Sequence, residues 1–132
     1  MSNSEAGTST ALVIEDDDQI SYLVTYILRK EGYHVKAAAD GRAAQALIES
    51  EPPPALVTLD FMLPYVDGLQ LLAIIRSRPE WKHVPVIMLT ARSQAKDVTR
   101  ALEGGATAYL LKPFKPQELR SCIRDVLKQG PG

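Results

Sequence analysis

Leu56-Val-Thr-Leu-Asp60-Phe-Met-Leu-Pro64-Tyr-Val-Asp67-Gly68 is the stretch from which the rest of the chain can be read. It opens with a short, nearly unbroken apolar run, the pattern of a strand buried on both faces of a parallel sheet. The run ends on a carboxylate, Asp60, and the residues that follow, Phe61-Met62-Leu63-Pro64, do not begin a helix. Pro64 and Asp67-Gly68 are turn residues. A helical stripe starts only at Gly68, with Leu71, Leu72 and Ile75, and Pro79 ends it.

The same alternation extends in both directions. Ala11–Ile14, Val84–Leu89 and Ala108–Leu111 are further short apolar runs, read like Ala55–Leu59 as strands buried on both faces. In Tyr33–Ala37, apolar Tyr33, Val35 and Ala37 alternate with His34 and Lys36, as in an edge strand. Between the runs lie stripes of helical period: Ile20, Leu23, Val24, Ile27 and Leu28; Ala43, Ala44, Leu47 and Ile48; Val98, Ala101 and Leu102; Leu119, Cys122, Ile123, Val126 and Leu127. Gly32 and Gly104-Gly105 are C-terminal stops, and Pro52-Pro53-Pro54 stiffens the loop before a strand. Five βα units in alternation predict a doubly wound α/β domain with a parallel sheet.

With 132 residues, one domain is expected, large enough for a core without metals or disulfides. A net charge of −1 gives no footprint for nucleic acid or an anionic membrane. No apolar run approaches the roughly 18 residues of a membrane span. Cys122 is the single cysteine, which suits the cytoplasm and reads as a small apolar residue on a helix. Residues 1–10 read as a disordered leader, 11–128 as the folded domain and 129–132 as a flexible tail. His34 and His83 have no companions at metal-ligand spacing, and Trp81 is expected to pack in the loop before the fourth strand.

Ligands of doubly wound sheets bind beyond the carboxyl ends of the strands. After the first run stand Glu15, Asp16 and Asp17; after the third, Asp60; after the fourth, Thr90; after the fifth, Lys112. Asp17 or Asp18 is explained as the cap of the following helix. Capping does not explain Asp60, nor several carboxylates meeting a hydroxyl and an ammonium. Converging carboxylates repel unless a cation is shared, and Mg²⁺ favours one or two carboxylates with waters and phosphate oxygens. Lys112 and Thr90 then suit an anion carried on Asp60, a phosphoryl site governed by positioning and electrostatics.

Four stretches resemble bacterial two-component response-regulator receiver domains: Leu12-Val-Ile-Glu-Asp-Asp-Asp18, Leu56 to Gly68, Pro85-Val-Ile-Met-Leu-Thr90-Ala-Arg92 and Gly105-Ala-Thr-Ala-Tyr109-Leu-Leu-Lys112-Pro-Phe114. They stand in order and at family spacing, and the match covers about residues 11 to 128. The resemblance implies a flavodoxin-like fold with strand order 2-1-3-4-5. It implies that Asp60 accepts a phosphoryl group from the phosphohistidine of a sensor histidine kinase or phosphotransfer protein. Mg²⁺ would be held by Asp16 directly, by Glu15 through water, by Asp60 and by the backbone carbonyl of Met62. Lys112, after a cis Lys112–Pro113 bond, would pair with phosphoryl oxygens. Thr90 would move toward them and Tyr109 would turn inward. The switched face would be the fourth helix, fifth strand and fifth helix, recruiting a downstream protein or a second copy, with no direct nucleic-acid contact and no membrane insertion. Catalysis would extend only to self-phosphorylation from small donors and self-dephosphorylation.

The chain departs from the family pattern in two places. Glu15 stands where many members have Asp. Members with a winged-helix output usually carry Gly-Ala-Asp-Asp-Tyr, where this chain has Gly105-Ala-Thr-Ala-Tyr109, which puts that subgroup's salt-bridged dimer in doubt. The resemblance implies that Met62 and Arg92, two residues after Asp60 and Thr90, face the water that attacks a phospho-aspartate. A thioether cannot orient that water, and Arg92 can shield the phosphoryl group, so a long-lived phosphoprotein is expected. Two rival readings are an unphosphorylated interaction module and a haloacid-dehalogenase-type phosphatase. The phosphatase needs a second Asp where Met62 stands.

Overall fold

The computed structural model describes residues 9–91 and 94–129. Five strands, β1 (Ser9–Ile14), β2 (Tyr33–Ala38), β3 (Leu56–Asp60), β4 (Val86–Thr90) and β5 (Ala108–Leu111), alternate with α1 (Asp18–Lys30), α2 (Gly41–Ser50), α3 (Gly68–Ser77), α4 (Ala95–Glu103) and α5 (Pro116–Gln129). A 3-10 turn at Pro79–Trp81 precedes β4. All pairings are parallel and the order is β2-β1-β3-β4-β5.

Successive side chains of a strand point to opposite faces, so each inner strand feeds two cores. Leu12 and Ile14, Val57 and Leu59, and Val86 and Met88 pack with Ala44 and Ile48 of α2, Leu71, Leu72 and Ile75 of α3, and Ala101 of α4. Ala11 and Val13, Leu56, and Ile87 and Leu89 pack with Val24, Ile27 and Leu28 of α1 and Leu119, Ile123 and Val126 of α5. Each such Leu or Ile contributes about 1.5–3 kcal/mol by burial. Trp81 is buried in the first of these cores, as expected from its position before β4.

Helix ends follow the chain's local chemistry. The Asp17 side chain accepts from the backbone N–H of Gln19 and Ile20, capping α1. Asp67 and Gln70 form a reciprocal capping box at the start of α3. Gly32 and Gly105 take positive φ after α1 and α4, as their places after the helical stripes suggested.

Three expectations need correction. β5 is not buried on both faces: it is the second edge of the sheet, its residues are half-buried, and Leu111 is exposed. An edge strand with one neighbour cannot be covered as β1, β3 and β4 are. Ser9 and Thr10, read from the sequence as part of the leader, pair with Tyr33 and His34 at the start of β1. At the other end, Gln129 belongs to α5 rather than to the tail.

Candidate functional site

The parallel register decides what meets at the top of the sheet. Ile14 lies opposite Leu59, Asp60 opposite Leu89, and Thr90 opposite Leu111. The residues that end or follow these strands, Glu15, Asp60, Thr90 and Lys112, therefore reach one edge side by side. With Asp16, Asp17, Ile20, Met62 and Ala91 they line a cleft of about 450 Å³.

Carboxylate oxygens of Glu15, Asp16 and Asp60 all lie within 4.8 Å of one another. Glu15 and Asp60 are buried and Asp16 is exposed at the rim. Lys112 Nζ reaches across them, 2.8 Å from Glu15 Oε1 and 3.3 Å from Asp60 Oδ2. The backbone N–H of Met62 donates to Asp60 Oδ1 at 3.2 Å, and that of Asp17 to Glu15 Oε2 at 3.2 Å. The Lys112–Pro113 bond is cis, and the Lys112 N–H donates to Thr90 O at 2.8 Å.

One ammonium is not enough for this much buried negative charge. Burial pushes the Glu15 carboxyl up from 4.5 to about 7; the Asp60 charge adds to the rise, while Lys112 and the Asp17 N–H oppose it. Burial likewise raises Asp60, against the pull of Lys112 and the Met62 N–H. Burial works to lower Lys112, but its contacts with Glu15 and Asp60 outweigh that and hold its pKa above the ordinary value. Buried Glu15 Oε1 has an ion pair but no aligned hydrogen bond. A crowded carboxylate set with an under-coordinated buried oxygen fits a hard divalent cation.

Thr90 is buried at the end of β4. It points to the same side of the sheet as Met88, two residues earlier. Tyr109, on neighbouring β5, is half-buried against that same core. The two expected switch residues thus share the face covered by α4. Met62 is exposed and lines the cleft. Arg92 lies outside the described residues.

A scan of family models matches the response regulator receiver domain over residues 11–124. The chain belongs to the response-regulator receiver family. This receiver domain is 38% identical over 118 residues to the phosphate regulon transcriptional regulatory protein PhoB of Rhizobium meliloti, covering 89% of this chain and 52% of that protein. It spans about half the length of the curated relatives it matches. Among solved structures, the chemotaxis response regulator CheY4 of Vibrio cholerae superposes with a TM-score of 0.84 at 28% identity, over 90% of this chain and 98% of that one. The receiver domain of the sensor histidine kinase PA1611 of Pseudomonas aeruginosa, solved with a magnesium ion in its active-site cleft, gives 0.82 at 30% identity, over 92% and 98%. As a receiver domain, the chain is a signalling switch, and among the described residues no helix is long and apolar enough to cross a membrane.

Sequence reasoning missed Arg76. Its guanidinium donates to Gly105 O at 2.7 and 2.9 Å, to Val84 O at 2.7 Å and to Lys82 O at 3.0 Å. It ties the end of α3 to the loops before β4 and β5. No spacing signals this, because every acceptor is a backbone carbonyl.

The two buried and exposed acids should differ in weight toward Mg²⁺. Calorimetric titration is expected to show binding abolished by Asp16→Ala and only weakened by Glu15→Gln, whose charge is already partly lost to a proton near pH 7. Equal and negligible effects would place the ion elsewhere.

Proposed function

We propose that Asp60 is the phosphoacceptor of this receiver domain and takes its phosphoryl group from the phosphohistidine of a sensor histidine kinase or a phosphotransfer protein. The observation that carries this is a buried carboxylate at the end of β3, 3.3 Å from Lys112 Nζ and within 4.8 Å of two further carboxylates. A carboxylate oxygen of Asp60 forms the bond to phosphorus as the phosphorus–nitrogen bond breaks, and the imidazole keeps the electron pair. Lys112 is placed to follow the charge from the carboxylates onto the phosphoryl oxygens. Glu15, Asp16, Asp60 and the Met62 carbonyl would hold Mg²⁺, which when bound neutralises the acidic cluster and the incoming phosphate.

Thr90 is the residue nearest the strand end that can donate a hydroxyl to the phosphoryl group, and Tyr109 follows it on the same sheet face. Their movement would be read out on α4, β5 and α5, where Leu102 and Leu111 are exposed. A downstream protein or a second copy would dock there. Thr107 and Ala108 carry no charge, so this contact would not be the salt-bridged kind. Met62, exposed at the cleft, supports slow loss of the phosphoryl group; Arg92 is proposed to shield it. The cytoplasm, where kinase domains deliver phosphate and thiols stay reduced, suits Cys122.

Treatment with acetyl phosphate, followed by intact mass, separates the readings. One phosphate is expected on the native chain with Mg²⁺, and none without the metal or on Asp60→Asn. Labelling that survives Asp60→Asn would overturn the assignment. No labelling under any condition would favour an unphosphorylated interaction module. Steady hydrolysis of phosphomonoesters would favour a phosphatase.

A further inference from the structure

The loop that follows Asp60 contains a strained residue. Tyr65 has φ 74°, in the left-handed region that a side chain with a Cβ resists, and no other non-glycine residue among those described does this. Burial does not hold it there, because Tyr65 is 68% exposed. Its neighbour does. The Arg42 guanidinium carbon stands 4.2 Å from the centroid of the Tyr65 ring.

Arg42 is itself oddly placed. It sits in the first turn of α2, where the helix dipole disfavours a cation, and beyond the cap Asp40 that turn holds no acid. Helix stability therefore gives no reason for an arginine at this position, whereas the aromatic ring does. The backbone beneath the pair is close-packed. The Gly41 N–H donates to Pro64 O at 3.0 Å, and a Cβ on Gly41 would fall 2.2 Å from Val66 O. At the far end, the Gly68 N–H donates to Phe61 O at 3.0 Å, and a Cβ there would fall 2.3 Å from Asp60 O. The segment between Asp60 and Gly68 is thus held at its middle by Gly41 and closed at its ends by the Gly68–Phe61 bond, and it carries Met62, whose N–H donates to Asp60 Oδ1.

We propose that Arg42 and Tyr65 form a clamp that positions this loop, and through it the Met62 backbone, against the acidic cluster. The clamp offsets the left-handed strain at Tyr65, since one exposed cation–ring contact returns an energy of the same order as that strain. Neither residue lines the cleft, so both are positioning residues. The consequence for cation affinity rests on the reading of Glu15, Asp16 and Asp60 as a Mg²⁺ site.

Two measurements test this: amide exchange at Gly41 and Val66 in the metal-free protein, and calorimetric Mg²⁺ titration. Arg42→Ala should raise exchange at both amides about 2- to 5-fold and weaken Mg²⁺ by a similar factor. Without the clamp, the same substitution would be neutral or stabilising, because it removes a cation from a helix N-terminus. Arg42→Lys should keep most of the native behaviour. Tyr65→Gly, which takes positive φ without strain, should restore both readouts in the Arg42→Ala background. Unchanged exchange in Arg42→Ala overturns the clamp, as does a double variant no better than Arg42→Ala alone. If the native chain bound no Mg²⁺, the acidic-cluster reading would fall, and exchange alone would decide whether the clamp exists.

Discussion

Replacing Lys112 by Met should slow phosphate uptake from a small acyl-phosphate donor about 100-fold, yet leave Mg²⁺ bound as tightly as before or more so. The two effects separate because the ammonium has different partners in the two states. Nζ lies 2.8 Å from Glu15 and 3.3 Å from Asp60, so it would compete with a divalent ion for the same oxygens. When a phosphoryl group arrives, no other cationic side chain lines the cleft among the described residues. Removing a preorganised donor from developing phosphate charge typically costs two to three orders of magnitude in rate. Met keeps the length and most of the volume of the stem. The backbone bond from Lys112 N–H to Thr90 O does not depend on the side chain. The course of single-phosphate incorporation by intact mass gives the rate, and calorimetry gives the metal affinity. Uptake within a few-fold of native would remove Lys112 from the proposed chemistry.

The acidic cluster was legible in the sequence for a topological reason. In a parallel sheet with aligned register, the residues that end neighbouring strands must converge, so finding the strands locates Glu15, Asp60, Thr90 and Lys112. The capping role of Asp17 and the turns at Gly32 and Gly105 were legible because they obey local rules. Ala108–Leu111 is as apolar as a central strand; what exposes it is its place at the edge of the sheet, with β4 as its one neighbour among the described residues, a property of the assembled sheet. The Lys112–Glu15 ion pair and the raised Glu15 carboxyl depend on burial that no spacing encodes. Arg42–Tyr65 and Arg76 were invisible for a related reason. A guanidinium that stacks on a ring or donates to carbonyls has partners brought near only by the fold, whereas Asp67 and Gln70 are paired by helix geometry alone.

The metal-free domain should lose stability as pH rises from about 4.5 to about 7, a trend that Glu15→Gln flattens and Mg²⁺ reverses. The Glu15 carboxyl titrates near 7 in the folded chain against an ordinary value of 4.5. The folded state therefore holds this proton more tightly than the unfolded one. That contribution is complete below 4.5, declines through the window and is gone above 7. Asp60, also raised, acts with the same sign. Lys112 is raised from 10.5, so its contribution lies wholly below that value and stays constant across this range. For Glu15 alone the shift corresponds to roughly 3 kcal/mol, and about 2 kcal/mol is expected in practice because the cleft admits water. Urea unfolding at pH 5, 6, 7 and 8 with a chelator present should show the loss in the native chain. The difference between native and Glu15→Gln isolates it from other carboxylates. A bound cation reverses the sign, since it binds the folded state and prefers the deprotonated cluster, so stabilisation by added Mg²⁺ should grow with pH. Parallel pH profiles for the native and Glu15→Gln chains would show that the crowding at this site carries no such strain.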